Sequence, residues 1–123
     1  MEGPGYFIEP TVIDAPQGAS CTQEEIFGPV VSVETFSTEQ EALDRANELP
    51  FGLAASVWTK DAQRSHFVAS RLDAGTVWVN SHLAMATEMP WGGFKGSGYG
   101  RDLSAYAIDD YSRTKHVMHH TGR

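Results

Sequence analysis

One cysteine, five histidines and a run of closely spaced glycines are the residues of this sequence that could do chemistry. Cys21 follows Gly18-Ala19-Ser20, and no histidine stands near it in sequence. A thiol attacks as its thiolate, so a nucleophilic Cys21 would need a partner that only folding could supply. An inert loop cysteine is the simpler reading. Without a second cysteine it forms neither an intramolecular disulfide nor a paired-cysteine zinc site. His119 and His120 are adjacent, and adjacent side chains on a strand point to opposite faces. His66, His82 and His116 have no spacing typical of metal ligands. A histidine metal centre is not expected.

The glycine run Gly96-Ser97-Gly98-Tyr99-Gly100-Arg101 invites a phosphate-binding reading, and its spacing argues against one. The dinucleotide fingerprint needs a third glycine three residues after the second, and from Gly98 that position is Arg101. Lys95-Gly96-Ser97 has the wrong order for a P-loop, in which lysine follows glycine at the start of a helix. These glycines are therefore not expected to cradle a dinucleotide.

The elements that must hold such residues follow from pattern. Thr11-Val12-Ile13 is a short β-branched run, and the segment from Ala15 to Pro29 reads as loop. Val30 to Phe36, Leu53 to Thr59 and Thr76 to Asn80 read as apolar strands, of the kind covered on both faces of a sheet. Between them lie two helices. The first opens on Thr38-Glu39-Gln40-Glu41, a capping box, and ends at Pro50 and Gly52. The second is capped by Asp61 and stops at Gly75. The expected fold class is α/β: a βαβαβ parallel-sheet portion with a C-terminal edge strand. Ser81 to Arg101 is expected to be loop throughout, Ser104 to Tyr111 a short helix, and Arg113 to His120 the edge strand. The simplest division is residues 1–112 as one domain and 113–123 as its terminal strand.

At 123 residues the chain is long enough for one core. A net charge of −7, with its basic residues scattered, argues against nucleic acid and anionic membranes as partners. No apolar run approaches the roughly 20 residues that span a bilayer. A lone cysteine and a start without a signal-peptide pattern make a reducing cytoplasm the expectation.

Three segments carry a resemblance. Glu24-Glu25-Ile26-Phe27-Gly28-Pro29, Gly75-Thr76-Val77-Trp78-Val79-Asn80 and the loop Pro90 to Arg101 are similar, in that order, to motifs of the aldehyde dehydrogenase superfamily. Within it, Ser56 to Asp61, Glu88-Met89-Pro90, Asp109-Asp110-Tyr111 and His116-Val117-Met118 look most like γ-aminobutyraldehyde dehydrogenases, with betaine aldehyde dehydrogenases as near neighbours. The resemblance implies thiolate attack on an aldehyde, hydride transfer to NAD and hydrolysis to the acid, with an ω-aminoaldehyde such as 4-aminobutyraldehyde as substrate. NADP stays open, because the region that reads it mainly is not in this sequence.

The resemblance also assigns residues. Glu25 matches the ribose-binding glutamate and Phe27 the aromatic residue beside the nicotinamide. Trp91 stands at an aromatic position of the substrate tunnel. Asp102 follows Gly100-Arg101 where many relatives carry a glutamate proposed to relay protons; it is one methylene shorter, which puts that role in doubt. Lys95 and Gly98 match positions whose backbone carbonyls are proposed to bind potassium. Residues 113–120 match a strand that joins an oligomerisation sheet, so a homo-oligomer is implied. The family's cysteine nucleophile and glutamate base lie in motifs this sequence does not contain, and Cys21 does not inherit the role. The expectation is a C-terminal fragment, inactive without the rest of the enzyme chain. A non-catalytic oligomerisation or interaction fragment is the alternative.

Overall fold

A computed structural model describes residues 3–122; Met1, Glu2 and Arg123, the outermost residues of the expected 1–112 and 113–123 stretches, lie outside the described residues. The chain forms two compact units, Met1–Pro50 and Phe51–Arg123.

In the first unit, strand β1 (Thr11–Asp14), the single-turn helix α1 (Ser20–Gln23), strand β2 (Val30–Val33) and helix α2 (Glu39–Glu48) follow in order. β1 and β2 pair in parallel, Thr11 opposite Val30 and Asp14 opposite Val33. The ladder extends at both ends, with the Thr11 amide donating to Pro29 O and the Ala15 amide to Val33 O. The segment expected as loop from Ala15 to Pro29 is the crossover that a parallel pair requires, and α1 is its one helical turn.

The expected capping box forms. Thr38 Oγ1 accepts from the Glu41 amide at 3.2 Å, and the Glu41 carboxylate accepts from the Ser37 amide at 2.7 Å, one residue before the cap. The Ser37 amide first, with the Arg45 guanidinium that pairs with it and the Thr38 amide, holds the Glu41 carboxyl below its ordinary value. Arg45 also donates to Thr35 O at 2.9 Å and Gln17 Oε1 at 3.3 Å, tying α2 to the loop before it and to the loop between β1 and α1. Leu43, 2% exposed, is the anchor of the helix's apolar face.

The second unit contains strands β3 (Phe51–Gly52) and β4 (Ala54–Val57), helix α3 (Ala62–Ala69), strands β5 (Thr76–Val79) and β6 (Phe94–Lys95), and helix α4 (Tyr106–Tyr111). β4, α3 and β5 make the expected βαβ unit, parallel from Ala54 opposite Thr76 to Val57 opposite Val79. Asp61 caps α3, its Oδ1 accepting from the Gln63 and Arg64 amides at 2.9 and 3.0 Å. Those two donors, Arg64 first, lower its carboxyl from the ordinary value.

Gly75, where α3's connection turns into β5, approaches the Gly92 backbone so closely that a Cβ on it would lie 1.7 Å from Gly92 O. Gly92 in turn faces Gly100 O, 2.5 Å from where its own Cβ would be. Three backbone segments approach closely there, with the Arg101 side chain lying against Gly92 as well.

Two expectations change. Ser81 to Arg101 is not loop throughout: β6 pairs antiparallel with β3, and Trp91 bridges Asp102. Two-residue strands are too short for any hydrophobic period, and β3 occupies residues that read as a helix terminator. The edge strand expected over 113–120 is not a strand here; these residues are exposed and make no ladder among the described residues. A strand exists by pairing, and this segment meets no partner among the described residues.

Among the described residues no helix is long and apolar enough to cross a membrane. Of the described apolar side chains, those of Ala15, Leu43 and Trp78 are buried, whereas Val12, Phe36, Ile108 and Met118 are among many left exposed. The parallel pairs therefore present apolar faces that parallel sheets elsewhere keep covered.

Candidate functional site

Glu25 and Phe27 follow α1, whose last turn is closed by the Glu24 amide donating to Ser20 O. Both are exposed. The Glu25 carboxylate has no hydrogen-bond or ion-pair partner among the described residues. Its two oxygens are open to vicinal hydroxyls, the pair of donors a ribose ring offers. Phe27 has φ 55° and is 91% exposed. A bulky residue in left-handed conformation is rare, and here it presents a flat apolar ring outward.

The second unit gathers Trp91 and Asp102. Their backbones exchange both hydrogen bonds, 2.8 Å from the Trp91 amide and 2.7 Å from the Asp102 amide. The cleft they line, about 450 Å³, is also bounded by Ser97, Arg101, Asp110 and Tyr111 and by glycine backbone. Asp110, on α4, accepts from the Arg101 amide at 2.5 Å, which holds the turn where Gly100 takes φ +84°. The Arg101 guanidinium folds back onto its own loop, donating to Gly100 O at 2.6 Å and Gly93 O at 3.4 Å. Its planar cation also stands 5.3 Å over the Phe94 ring. Asp102 Oδ1 accepts from the Tyr111 hydroxyl at 3.4 Å. An indole, two carboxylates and one internally engaged guanidinium make a cleft suited to a cationic head group.

Lys95 ends β6 and Gly98 lies in the turn that follows, its amide donating to Lys95 O at 3.3 Å. Lys95 takes φ 52°, and its Nζ lies 3.2 Å from Asp73 Oδ2. Two carbonyls are a small part of the oxygen shell that a hard cation takes. Among the described residues no group of three or more acidic, histidine or cysteine side chains is placed to hold a metal.

Sequence reasoning brought Trp91 and Asp102 forward separately and missed Arg101, Asp110 and Ser97. The signal for Arg101 was its place directly after the glycine run. Asp110 and Ser97 act through tertiary contacts, Ser97 Oγ accepting from the Gly52 amide at 3.0 Å across 45 residues. No local pattern encodes those.

The sequence profile of the aldehyde dehydrogenase family matches residues 1–117. The betaine aldehyde dehydrogenase of Bacillus subtilis (strain 168) is 44% identical over 118 residues, 95% of this chain and 24% of that protein. The 4-trimethylaminobutyraldehyde dehydrogenase of Rattus norvegicus is 46% identical over 92% of this chain and 23% of its own length. A P. syringae indole-3-acetaldehyde dehydrogenase mutant, solved with NAD+ and IAA, superposes with TM-score 0.84 at 49% identity, covering 89% of this chain and 22% of that one. The Staphylococcus aureus betaine aldehyde dehydrogenase, solved with NAD+, gives TM-score 0.82 at 45% identity over 85% and 21% of the two chains. The chain thus spans about a quarter of the length of the relatives it matches. On motif order, fold and similarity along nearly its whole length, the chain belongs to the aldehyde dehydrogenase family.

Proposed function

We propose that this chain forms the C-terminal quarter of a cytoplasmic, homo-oligomeric, NAD-dependent aldehyde dehydrogenase that oxidises an ω-aminoaldehyde such as 4-aminobutyraldehyde to its acid. The observation that carries the substrate class is the cleft in which Trp91 is backbone-paired with Asp102. An indole face attracts an ammonium or trimethylammonium group through its quadrupole, and nearby carboxylates add to that attraction. The names of the two curated relatives described above, which act on betaine aldehyde and 4-trimethylaminobutyraldehyde, support the same class.

The chemistry NAD supplies when bound is acceptance of hydride. This chain's part is positioning. Glu25 accepts from the ribose hydroxyls, and the Phe27 ring limits tilt of the nicotinamide. Trp91 holds the aldehyde's far end. Asp102, which lines the cleft, relays a proton through water in this reading. The Lys95 and Gly98 carbonyls contribute to a potassium shell completed by other parts of the enzyme. The only thiol here, Cys21, lies in α1, apart from any match to the nucleophile motif, so the thiolate and the general base come from the rest of the enzyme.

The test is reconstitution. The purified chain, given NAD and 4-aminobutyraldehyde, should form no NADH. Co-expressed with a polypeptide carrying the family's cysteine and glutamate motifs, it should restore NADH formation, faster with the aminoaldehyde than with an alkyl aldehyde of equal length. NADH from the chain alone would sink the division of labour; equal rates would sink the substrate class. A second reading, a non-catalytic oligomerisation fragment, is favoured by the exposed, unpaired residues 113–122. It predicts self-association of the chain with no gain of activity on complementation.

A further inference from the structure

His82 has no part in the reaction above, and its spacing carries no metal chemistry. Its surroundings are nevertheless organised. Ser56 on β4 and Trp78 on β5 are direct partners in the parallel ladder. His82 closes over both: its Nδ1 lies 2.6 Å from Ser56 Oγ, and its ring meets Trp78 edge-on at 5.1 Å and 68°. Trp78 is buried, and its Nε1 donates to Ala84 O at 2.8 Å. Trp78 also packs against Trp91, with centroids 6.0 Å apart and planes tilted by 36°. An unbroken row of contacts therefore runs from Ser56 through His82 and Trp78 to Trp91.

The backbone around His82 is bent to make this row. Asn80 and Leu83 both take left-handed conformations, φ 52° and 56°. Asn80 is clasped to Thr59 by two hydrogen bonds of 2.8 Å, Oδ1 accepting from the amide and Nδ2 donating to the carbonyl. Non-glycine residues persist in that region only where surrounding contacts hold them. The result turns the chain back so that His82 lies over the strands it has just left.

We propose that His82 is a positioning residue for Trp91, and thereby sets the preference for cationic over neutral aldehydes; the selectivity part rests on Trp91 facing the substrate. The face of an indole is negative and its edge positive. A cation is held when it sits over the face, so a change in tilt weakens that attraction and leaves contact with a neutral chain nearly the same. His82, bonded to Ser56, fixes the Trp78 edge from one position, and Trp78 fixes the tilt of Trp91.

Near-UV circular dichroism of the 123-residue chain reads the Trp78–Trp91 pair directly, with Trp58→Phe removing the third, exposed indole. His82→Ala should diminish the coupled tryptophan signal by about half or more, and Ser56→Ala should diminish it less. If His82→Ala does not fold, judged by far-UV dichroism, Ser56→Ala decides alone. An unchanged signal in the folded variants overturns the proposal.

In the reconstituted enzyme, His82→Ala should raise KM for the aminoaldehyde about five-fold while kcat changes by less than about two-fold. KM for a neutral aldehyde of equal length should hold. Equal KM changes for the two aldehydes, with the dichroism signal lost, overturn the selectivity role. A reconstituted enzyme without activity overturns the proposed function instead, and the dichroism result still decides whether His82 orients Trp91.

Discussion

Between Glu24 and Gly28 the chain holds its chemistry with little of its own: one amide closing α1 and another, from Val30, donating to Gly28 O. Glu25 and Phe27 stand in solvent, Phe27 in a left-handed conformation. Between Trp91 and Asp102 nearly everything is internal. Two backbone hydrogen bonds, the Asp110 carboxylate, the folded-back Arg101 and the Trp78 ring all come from the same unit. The first segment leaves its side chains open to whatever lies outside its unit, whereas the second fixes the walls of its own cleft.

The sharpest way to break the braced region is Gly75→Ala. Its methyl would sit 1.7 Å from Gly92 O, so backbone must move. A loss of about 3 kcal/mol or more is expected in urea unfolding followed by Trp78 fluorescence. Glu25→Gln probes the other region. Reconstituted enzyme should lose about ten-fold in kcat/KM for NAD, the scale of a charged hydrogen bond. The chain's own unfolding midpoint should hold, since Glu25 is exposed and has no hydrogen-bond or ion-pair partner among the described residues. If that midpoint falls, the contrast between the two regions is wrong.

Removing the Thr38 cap by substitution with alanine should cost about 1 kcal/mol, read as loss of helical dichroism on heating. Phe27→Gly should be neutral to about 1 kcal/mol stabilising, because it relieves a left-handed backbone while removing no packing.

The smallest effect is acid sensitivity. Glu41 and Asp61 are lowered by the amides they accept from, so each stabilises its helix above its ordinary value, 4.5 or 3.8. That contribution fades as pH falls through the lower folded-state values. Helical dichroism should accordingly decline below about pH 4.5, and Glu41→Gln should flatten the part of the decline that belongs to α2.

What was legible in the sequence was local. Thr38 and Glu41 announced α2, Asp61 announced α3, and the apolar run Thr76 to Val79 announced β5, because caps and periods act over a few residues. β3 with β6, and the Trp91–Asp102 bridge, were not legible, since both are pairings of one or two residues between segments whose own patterns say turn. Residues 113–120 differ in kind: their sequence can pair, but pairing needs a second strand, and none meets them among the described residues. Likewise the motif positions gave Glu25, Phe27 and Trp91, whereas the row from Ser56 to Trp91 depends on a residue set aside for lacking metal spacing.

The stacked glycines at 75, 92 and 100 have a further consequence for how such a site can diverge. Where backbone meets backbone, no side chain exists to be exchanged for a larger or smaller one. Inherited changes in the shape of the cleft cannot begin there without disturbing the fold. They are channelled to the side chains around that rigid seam, Trp91 among them, so the seam acts as a fixed die against which the lining is recut.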